Sequence, residues 1–218
     1  MRNFQFLLFA SCMAISSFLS ANTGSTTQAK TRIENAMVES LAIINNPQLS
    51  QASKREQLWP IVTAYFDFEL IAELTLGKFS VSSNSPLGSY SNRRFAAEQQ
   101  KLFTELFKEH LGNIYLDKLS DDTNLKISIT QVRALKPVKQ MQRARVNTLI
   151  NDKTAIDYSL RLSNTQWLVY DIRVEGRSLV ASFRKEYNDL LLKQTPDELL
   201  IILSEKNITH DKERKLQQ

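Results

Sequence analysis

Between Leu125 and Val174 apolar residues return at every second position, and on either side of that stretch they return at every third or fourth. A two-residue period is that of a strand with one buried face, and a 3.6-residue period is that of an amphipathic helix. Helices before and after one block of strands restrict the chain to an α+β arrangement, because an isolated sheet face this apolar has to be covered by the flanking helices. Within the block, Leu125, Ile127 and Ile129 alternate with Lys126, Ser128 and Thr130, and Ile156, Tyr158, Leu160 and Leu162 alternate with Asp157, Ser159 and Arg161. Arg143 to Ile150 reads as a strand between them, with Asn151-Asp152-Lys153 and Ser163-Asn164 as turns. About four antiparallel strands in a meander are expected.

The last strand, in WLVYDIRVEGRSLVASFR (167–184), is apolar on both faces. Simple alternation puts Trp167 and Val169 on one side and Leu168, Tyr170, Ile172 and Val174 on the other. Both sides of the sheet near this strand therefore need apolar cover.

The helical parts are marked by their caps. Thr31 to Ile44 carries Ile33, Met37, Leu41 and Ile44 at helical spacing and stops at Asn45-Asn46-Pro47. A second helix is expected from Ser50 toward Tyr65, and a third after Asp67 as N-cap, ending at Gly77. Residues 80–91, SVSSNSPLGSYS, read as an exposed loop. A long helix follows from about Asn92 to Leu119, its apolar face made of Phe95, Leu102, Phe103, Leu106, Phe107, Leu111, Ile114, Tyr115 and Leu119. Ser178 to Leu192 and Pro196 to Lys206 close the chain, the latter with Thr195 as N-cap.

The first residues, MRNFQFLLFASCMAISSFLSANTGS, have one Arg, an apolar stretch and then small residues, the plan of a cleavable export signal. Residues 1–21 are read as that signal, 22–30 as a flexible leader, 31–207 as one domain and 208–218 as a charged tail. The single cysteine of the 218 residues, Cys12, falls inside the signal, so the exported domain is expected to contain no disulfide and to rest on its core. A net charge of +5 spread along the chain, without a nucleic-acid motif, gives no reason to expect nucleic acid.

The residues offer little for catalysis. Five glycines, none in a phosphate-cradling pattern, and two histidines, His110 and His210, do not supply the usual loops, triads or multi-His metal sites. No enzyme activity, cofactor or metal is expected. Asp67, Glu69 and Glu73 suit a helix start, and Asp171, a charge in an apolar strand, suits an ion pair with Arg173 or Arg184.

Three segments, FDFELIAELTLGKF (66–79), FAAEQQKLFTELFKEHLGNIY (95–115) and WLVYDIRVEGRSLVASFRKEYNDLL (167–191) followed by TPDELLIILSEKN, resemble the MlaC family of periplasmic phospholipid-binding transport auxiliaries, also called toluene-tolerance proteins. The resemblance runs from about residue 31 to residue 207. The Trp-x-x-Tyr-Asp-x-x-Val-Glu-Gly-x-Ser-Leu-Val string is its specific part. Two departures stand out: the Ser/Asn-rich loop after Leu76-Gly77-Lys78-Phe79, and Gln194 where a Gly often precedes the last helix.

The resemblance implies an NTF2-like α+β fold whose curved sheet and helices enclose a hydrophobic cavity. It implies a soluble periplasmic carrier that shuttles phospholipid between the outer membrane and an inner-membrane ABC transporter, maintaining outer-membrane lipid asymmetry. The implied partners are phospholipid as cargo, the inner-membrane Mla-type complex with its membrane-anchored lipid-binding subunit, and an outer-membrane lipoprotein-porin complex, with the carrier itself a monomer. Candidate lipid-lining residues are Phe66, Phe103, Phe107, Tyr115, Ile127, Tyr158, Leu160, Tyr170, Ile172, Val174, Phe183 and Tyr187. Arg93, Arg94, Lys139 and Arg143 are candidate cations for a phosphate. The alternative is a periplasmic adaptor that keeps the fold for protein contact, with the 80–91 loop as its epitope.

Overall fold

The computed structural model describes residues 20–121 and 124–216. Helices α1 (Ser20–Ile44), α2 (Gln51–Tyr65) and α3 (Phe68–Leu76) lead to the long α4 (Ala97–Asp121). Strands β1 (Ile127–Val138), β2 (Met141–Ile150), β3 (Thr154–Ser163), β4 (Gln166–Val174) and β5 (Arg177–Ser178) form one antiparallel sheet in chain order. Helices α5 (Leu179–Leu191) and α6 (Pro196–Leu216) complete the chain. The expected α+β fold is the one that forms, with a fifth, two-residue strand. The export signal expected over 1–21, and Cys12 within it, lie almost wholly outside the described residues.

The caps explain why the helices start where they do. Ser50 accepts from Ser53 N and Asp67 from Leu70 N at 3.0 Å, opening α2 and α3. Thr195 and Glu198 form a reciprocal capping box: Thr195 N donates to Glu198 Oε2 at 2.7 Å, and Glu198 N to Thr195 Oγ1 at 3.3 Å. Tight hairpins take residues in the left-handed region, Lys139-Gln140 between β1 and β2 and Asn151-Asp152 between β2 and β3. Glu175-Gly176 turns β4 into β5, so the glycine of the 167–184 segment sits at a hairpin tip and not at a direct strand-to-helix junction.

Three expectations need correcting. Residues 22–30 are helical rather than a flexible leader: Ala29 is fully buried beneath the sheet and Lys30 pairs with Glu34 at 2.8 Å. The 208–218 tail continues α6 as far as Leu216, where Arg214 reaches Asn113 Oδ1 at 3.2 Å. The third concerns β4. Ser159 pairs with Asp171 and Leu160 with Val169, which leaves Tyr170 as an extra residue in a bulge. The bulge reverses the alternation, so Trp167, Val169, Ile172 and Val174 share one face, across from Leu162, Leu160, Tyr158 and Ile156. Tyr170 is turned to the opposite face, toward Arg143.

Buried side chains gather in three clusters. One joins α3, α4, α5 and α6 through Phe79, Phe95, Phe103, Phe107, Tyr187 and Leu203. A second packs α1 against the sheet through Ala29, Ile33, Val146, Leu160, Trp167 and Val169. A third, Ile44, Leu58, Leu116 and Leu125, links α1, α2 and the end of α4. Polar rivets hold the helices in place: Arg32 donates to Trp167 O at 3.2 Å and Ala64 O at 2.6 Å, and buried Lys54 caps α1 through Ile44 O at 2.6 Å.

The 80–91 loop is well tied. Phe79 and Phe95 bury its two feet, and Arg94 donates to the carbonyls of Ser80, Ser83 and Ser85. Gln100 Oε1 accepts from Val81 N and from Ser80 Oγ at 2.9 Å. Arg94 is thereby committed to the loop, and α4 begins only at Ala97 instead of Asn92.

Candidate functional site

Where the three clusters fail to merge there is a cavity of about 210 Å³. Its floor is the inner face of β3 and β4, Ile156, Tyr158, Ile172 and Val174, with Ile150 of β2 beside them. Its roof is Leu111, Gly112, Tyr115 and Leu116 of α4, and its sides are Val62, Phe66, Phe68 and Ile71 from the α2–α3 corner and Leu179 and Val180 from α5. Contacts between segments far apart in the chain make the corner: Asp67 N donates to Val169 O at 2.9 Å, Phe66 bridges to Val169, and Asp67 also receives Arg161. That junction fastens Phe66 and Phe68 against the free edge of β4.

The lining is apolar apart from Asp171 and two phenols. Asp171 is no free acid: Ser178 Oγ lies 2.8 and 2.9 Å from its two oxygens and Val180 N donates at 3.2 Å, so the carboxylate anchors the start of α5. Arg173 Nε stands 3.8 Å away, while Arg184, the other expected partner, donates instead to Leu74 O. Burial pushes the Tyr158 phenol up to about 12 and raises that of Tyr115. Both stay neutral at ordinary pH. Such a chamber excludes charge and offers dispersion contacts along its whole length.

The cavity has a doorway. Tyr115, Val174 and Leu179 are shared with an adjoining open cleft of about 570 Å³ that also has Glu175, Arg177, Ser182, Phe183 and Glu186 on its walls. Tyr115 and Val174 are about two-fifths exposed there, unusual for large apolar residues on an inner face. A ligand in this opening would have its apolar part inside and its polar part among one guanidinium and two carboxylates.

Of the candidate lining residues, the structure brings Phe66, Tyr115, Tyr158, Ile172 and Val174 to the cavity. Phe183 stands in the doorway cleft. Phe103, Phe107 and Tyr187 are stacked edge and face within the helical core, with ring centroids 5.3 to 5.7 Å apart, and Leu160 is sealed under α1. Ile127 pairs with Ile150 on the cavity side, one strand further out. Tyr170 is carried to the other face by its bulge. Sequence reading missed Val62, Phe68, Ile71, Leu111 and Leu179, whose helical spacing is that of ordinary core, and it missed Arg177 at the doorway.

Among the described residues no helix is long and apolar enough to cross a membrane, and no group of three or more His, Cys, Asp or Glu is placed to hold a metal ion.

Comparison with known proteins bears on this chamber. A family model described as MlaC protein matches residues 34–205. Seven chains of solved structures match. One is a phospholipid-binding protein from Ralstonia solanacearum in complex with a phospholipid, 22% identical, with a TM-score of 0.67 over 84% of this chain and 99% of that one. At that identity the likeness is one of fold. No curated protein matches.

Proposed function

The chain belongs to the MlaC family, and from that premise we propose that it binds phospholipid in the cavity between its sheet and helices and carries it as a soluble periplasmic shuttle. The observation that carries this reading is the apolar chamber with an amphipathic doorway at Tyr115, Val174 and Leu179. The phospholipid held by the Ralstonia relative of the same fold supports it.

The physics of transfer explains why such a chamber is useful. Drawing a two-chain lipid into water exposes on the order of 30 methylenes at about 0.8 kcal/mol each. A cavity as apolar as the bilayer removes most of that barrier without requiring a preference for the protein over the membrane. Its present 210 Å³ is below the roughly 300–1,000 Å³ of ordinary ligand pockets, so acyl chains enter by parting the walls. The cation at the doorway, Arg177, would meet the phosphate, and Glu175 and Glu186 would limit how much negative charge is tolerated beside it.

In this reading residues 1–21 are the export signal. The carrier exchanges lipid with an outer-membrane lipoprotein-porin complex and with an inner-membrane Mla-type ABC transporter through its membrane-anchored subunit, and so serves outer-membrane lipid asymmetry. It acts as a monomer and performs no covalent chemistry.

The test is to express the full chain in a Gram-negative host, purify it from the periplasm without detergent, and compare native with denaturing mass spectra. A native mass excess that resolves into phospholipid, on a polypeptide shortened by about the first 21 residues, is the expected result. A protein that arrives bare and stays bare after incubation with labelled vesicles would move the reading to an adaptor that uses the fold for protein contact.

A further inference from the structure

The face of the sheet turned away from the cavity carries a second, chemically opposite feature. There, a cleft of about 500 Å³ runs between the outer side of β1 to β4 and the α3 and α5 helices. Five cations line it, Lys136, Arg143, Arg145, Arg173 and Arg184, against the single carboxylate of Asp171, which is already engaged by Ser178 and Val180.

Arg173 shares the Asp171 carboxylate, its Nε 3.8 Å from Oδ2, and faces Asp157 across the ladder; the other cations are positioned chiefly by uncharged acceptors. Arg143 donates to Lys136 O at 3.2 and 2.6 Å and to Tyr170 Oη at 3.3 Å, and Arg184 donates to Leu74 O, all uncharged acceptors. Arg145 is the least compensated. It stands directly across the ladder from Arg133, a like-charge pairing that costs stability in a sheet. Its Nε is buried without a hydrogen-bond partner, as is that of Arg173. Burial holds the Arg145 guanidinium below the usual arginine range, and Arg173 and Arg133 lower it further. Five positive groups converge on one cleft where Asp171 and the neighbouring Asp157 supply only two carboxylates, and the buried Nε of Arg145 and of Arg173 lack hydrogen-bond acceptors, so an added anion would relieve both the repulsion and the unmet donors.

We propose that this outer cleft is an oxyanion-binding site of phosphate chemistry, distinct from the acyl-chain cavity, which it meets only at Asp171 and Val180 where β4 joins α5. Guanidinium groups present paired donors that match a phosphate, and Tyr170, whose oxygen accepts from Arg143, still has its own hydrogen to donate. The phosphate can belong to an anionic headgroup at a membrane surface or be free in solution, and the two are separable by experiment.

The experiment titrates inorganic phosphate into the purified protein while following arginine Nε–H signals by NMR, and measures sedimentation with vesicles of phosphatidylglycerol or of phosphatidylcholine. Saturable shifts at Arg145 and Arg173, with retention on phosphatidylglycerol vesicles that falls about tenfold in Arg145→Gln, establish a site open to headgroups. Saturable phosphate shifts without vesicle binding establish a site for free phosphate. Arg173→Gln is the second variant, thermal melts confirm that each folds, and the lipid content of the cavity should stay at the parent level in both. Absence of saturable shifts overturns the proposal. So does an equal loss of vesicle binding in Lys212→Gln/Lys215→Gln on α6, which would show diffuse surface charge at work.

Discussion

Ile172 and Leu160 lie on the same face of the sheet in neighbouring strands, one on the cavity and the other sealed beneath α1, so one substitution made at each site should have opposite consequences. In Leu160→Asn, a fully buried side chain loses its packing, about 2–5 kcal/mol, and leaves an amide without partners, about 1–3 kcal/mol more. That sum takes most of the ~5–15 kcal/mol that stabilises a domain, and the variant should be largely unfolded or recovered in low yield. In Ile172→Asn, the side chain is only partly buried and one flank already faces open space, so the folded protein loses little. The cost appears when acyl chains must cover the amide: about 1–3 kcal/mol, or roughly fivefold to 150-fold in lipid retention. Urea unfolding gives the stabilities, and lipid per polypeptide after detergent-free purification gives the loads. An Ile172→Asn protein that folds and keeps its full load would refute the assignment of this wall to acyl chains, as would equal destabilisation of the two variants.

Asp171→Ala removes the acceptor that ties Ser178 and Val180 to β4, and should cost about 2–4 kcal/mol, a fall in Tm of roughly 5–12 °C, with Asp171→Asn recovering part of it. An unchanged Tm would show that the start of α5 is held by other contacts. Gly112→Ala would place a methyl group 2.4 Å from Trp59 Cζ3, so α2 and α4 must move apart; overpacking of about 1–3 kcal/mol should outweigh the ~1 kcal/mol gain in helix propensity and shift tryptophan fluorescence. His110 is buried with Nδ1 unpartnered, and burial, then Lys206 and His210, lower its affinity for a proton. The unfolded chain therefore binds that proton more readily, so the contribution of His110 is complete above its ordinary value of 6.5 and is lost as the pH falls below it. Melting curves should show a decline on acidification that His110→Gln flattens; an identical slope in the variant would assign the decline elsewhere.

Caps and periods carried most of the fold into the reading of the sequence. Ser50, Asp67, Ser178 and Thr195 each declare a helix start by chemistry local to three or four residues, and the structure uses all four. What local chemistry does not declare is register. Nothing in WLVYDIRV marks Tyr170 as the bulged residue, because the bulge is set by how Ser159 and Leu160 of β3 meet the strand. Alternation therefore assigned Ile172 and Val174 to the face opposite Trp167. For the same reason half of the cavity was invisible: Leu111 has the spacing of Phe103 and Phe107, and only the way the helices pack on the sheet separates wall from core. The ends of the domain were misjudged because polar composition reads as solvated tail, whereas Ala29 and Arg214 each find a partner in the fold.

The division of the apolar interior into three clusters bears on how the protein comes apart. Segments that share little packed surface open separately, each with its own free energy. Acyl chains lying in the space between the clusters would touch all of them and act as a missing piece of core, so cargo would couple units that are otherwise semi-independent. The loaded protein should then melt as one sharp transition and the delipidated protein over a broader range, with amide exchange in α1 and in α5 becoming correlated only in the presence of lipid. Release at a membrane would accordingly loosen the whole molecule for a moment, and reloading would restore its cooperativity.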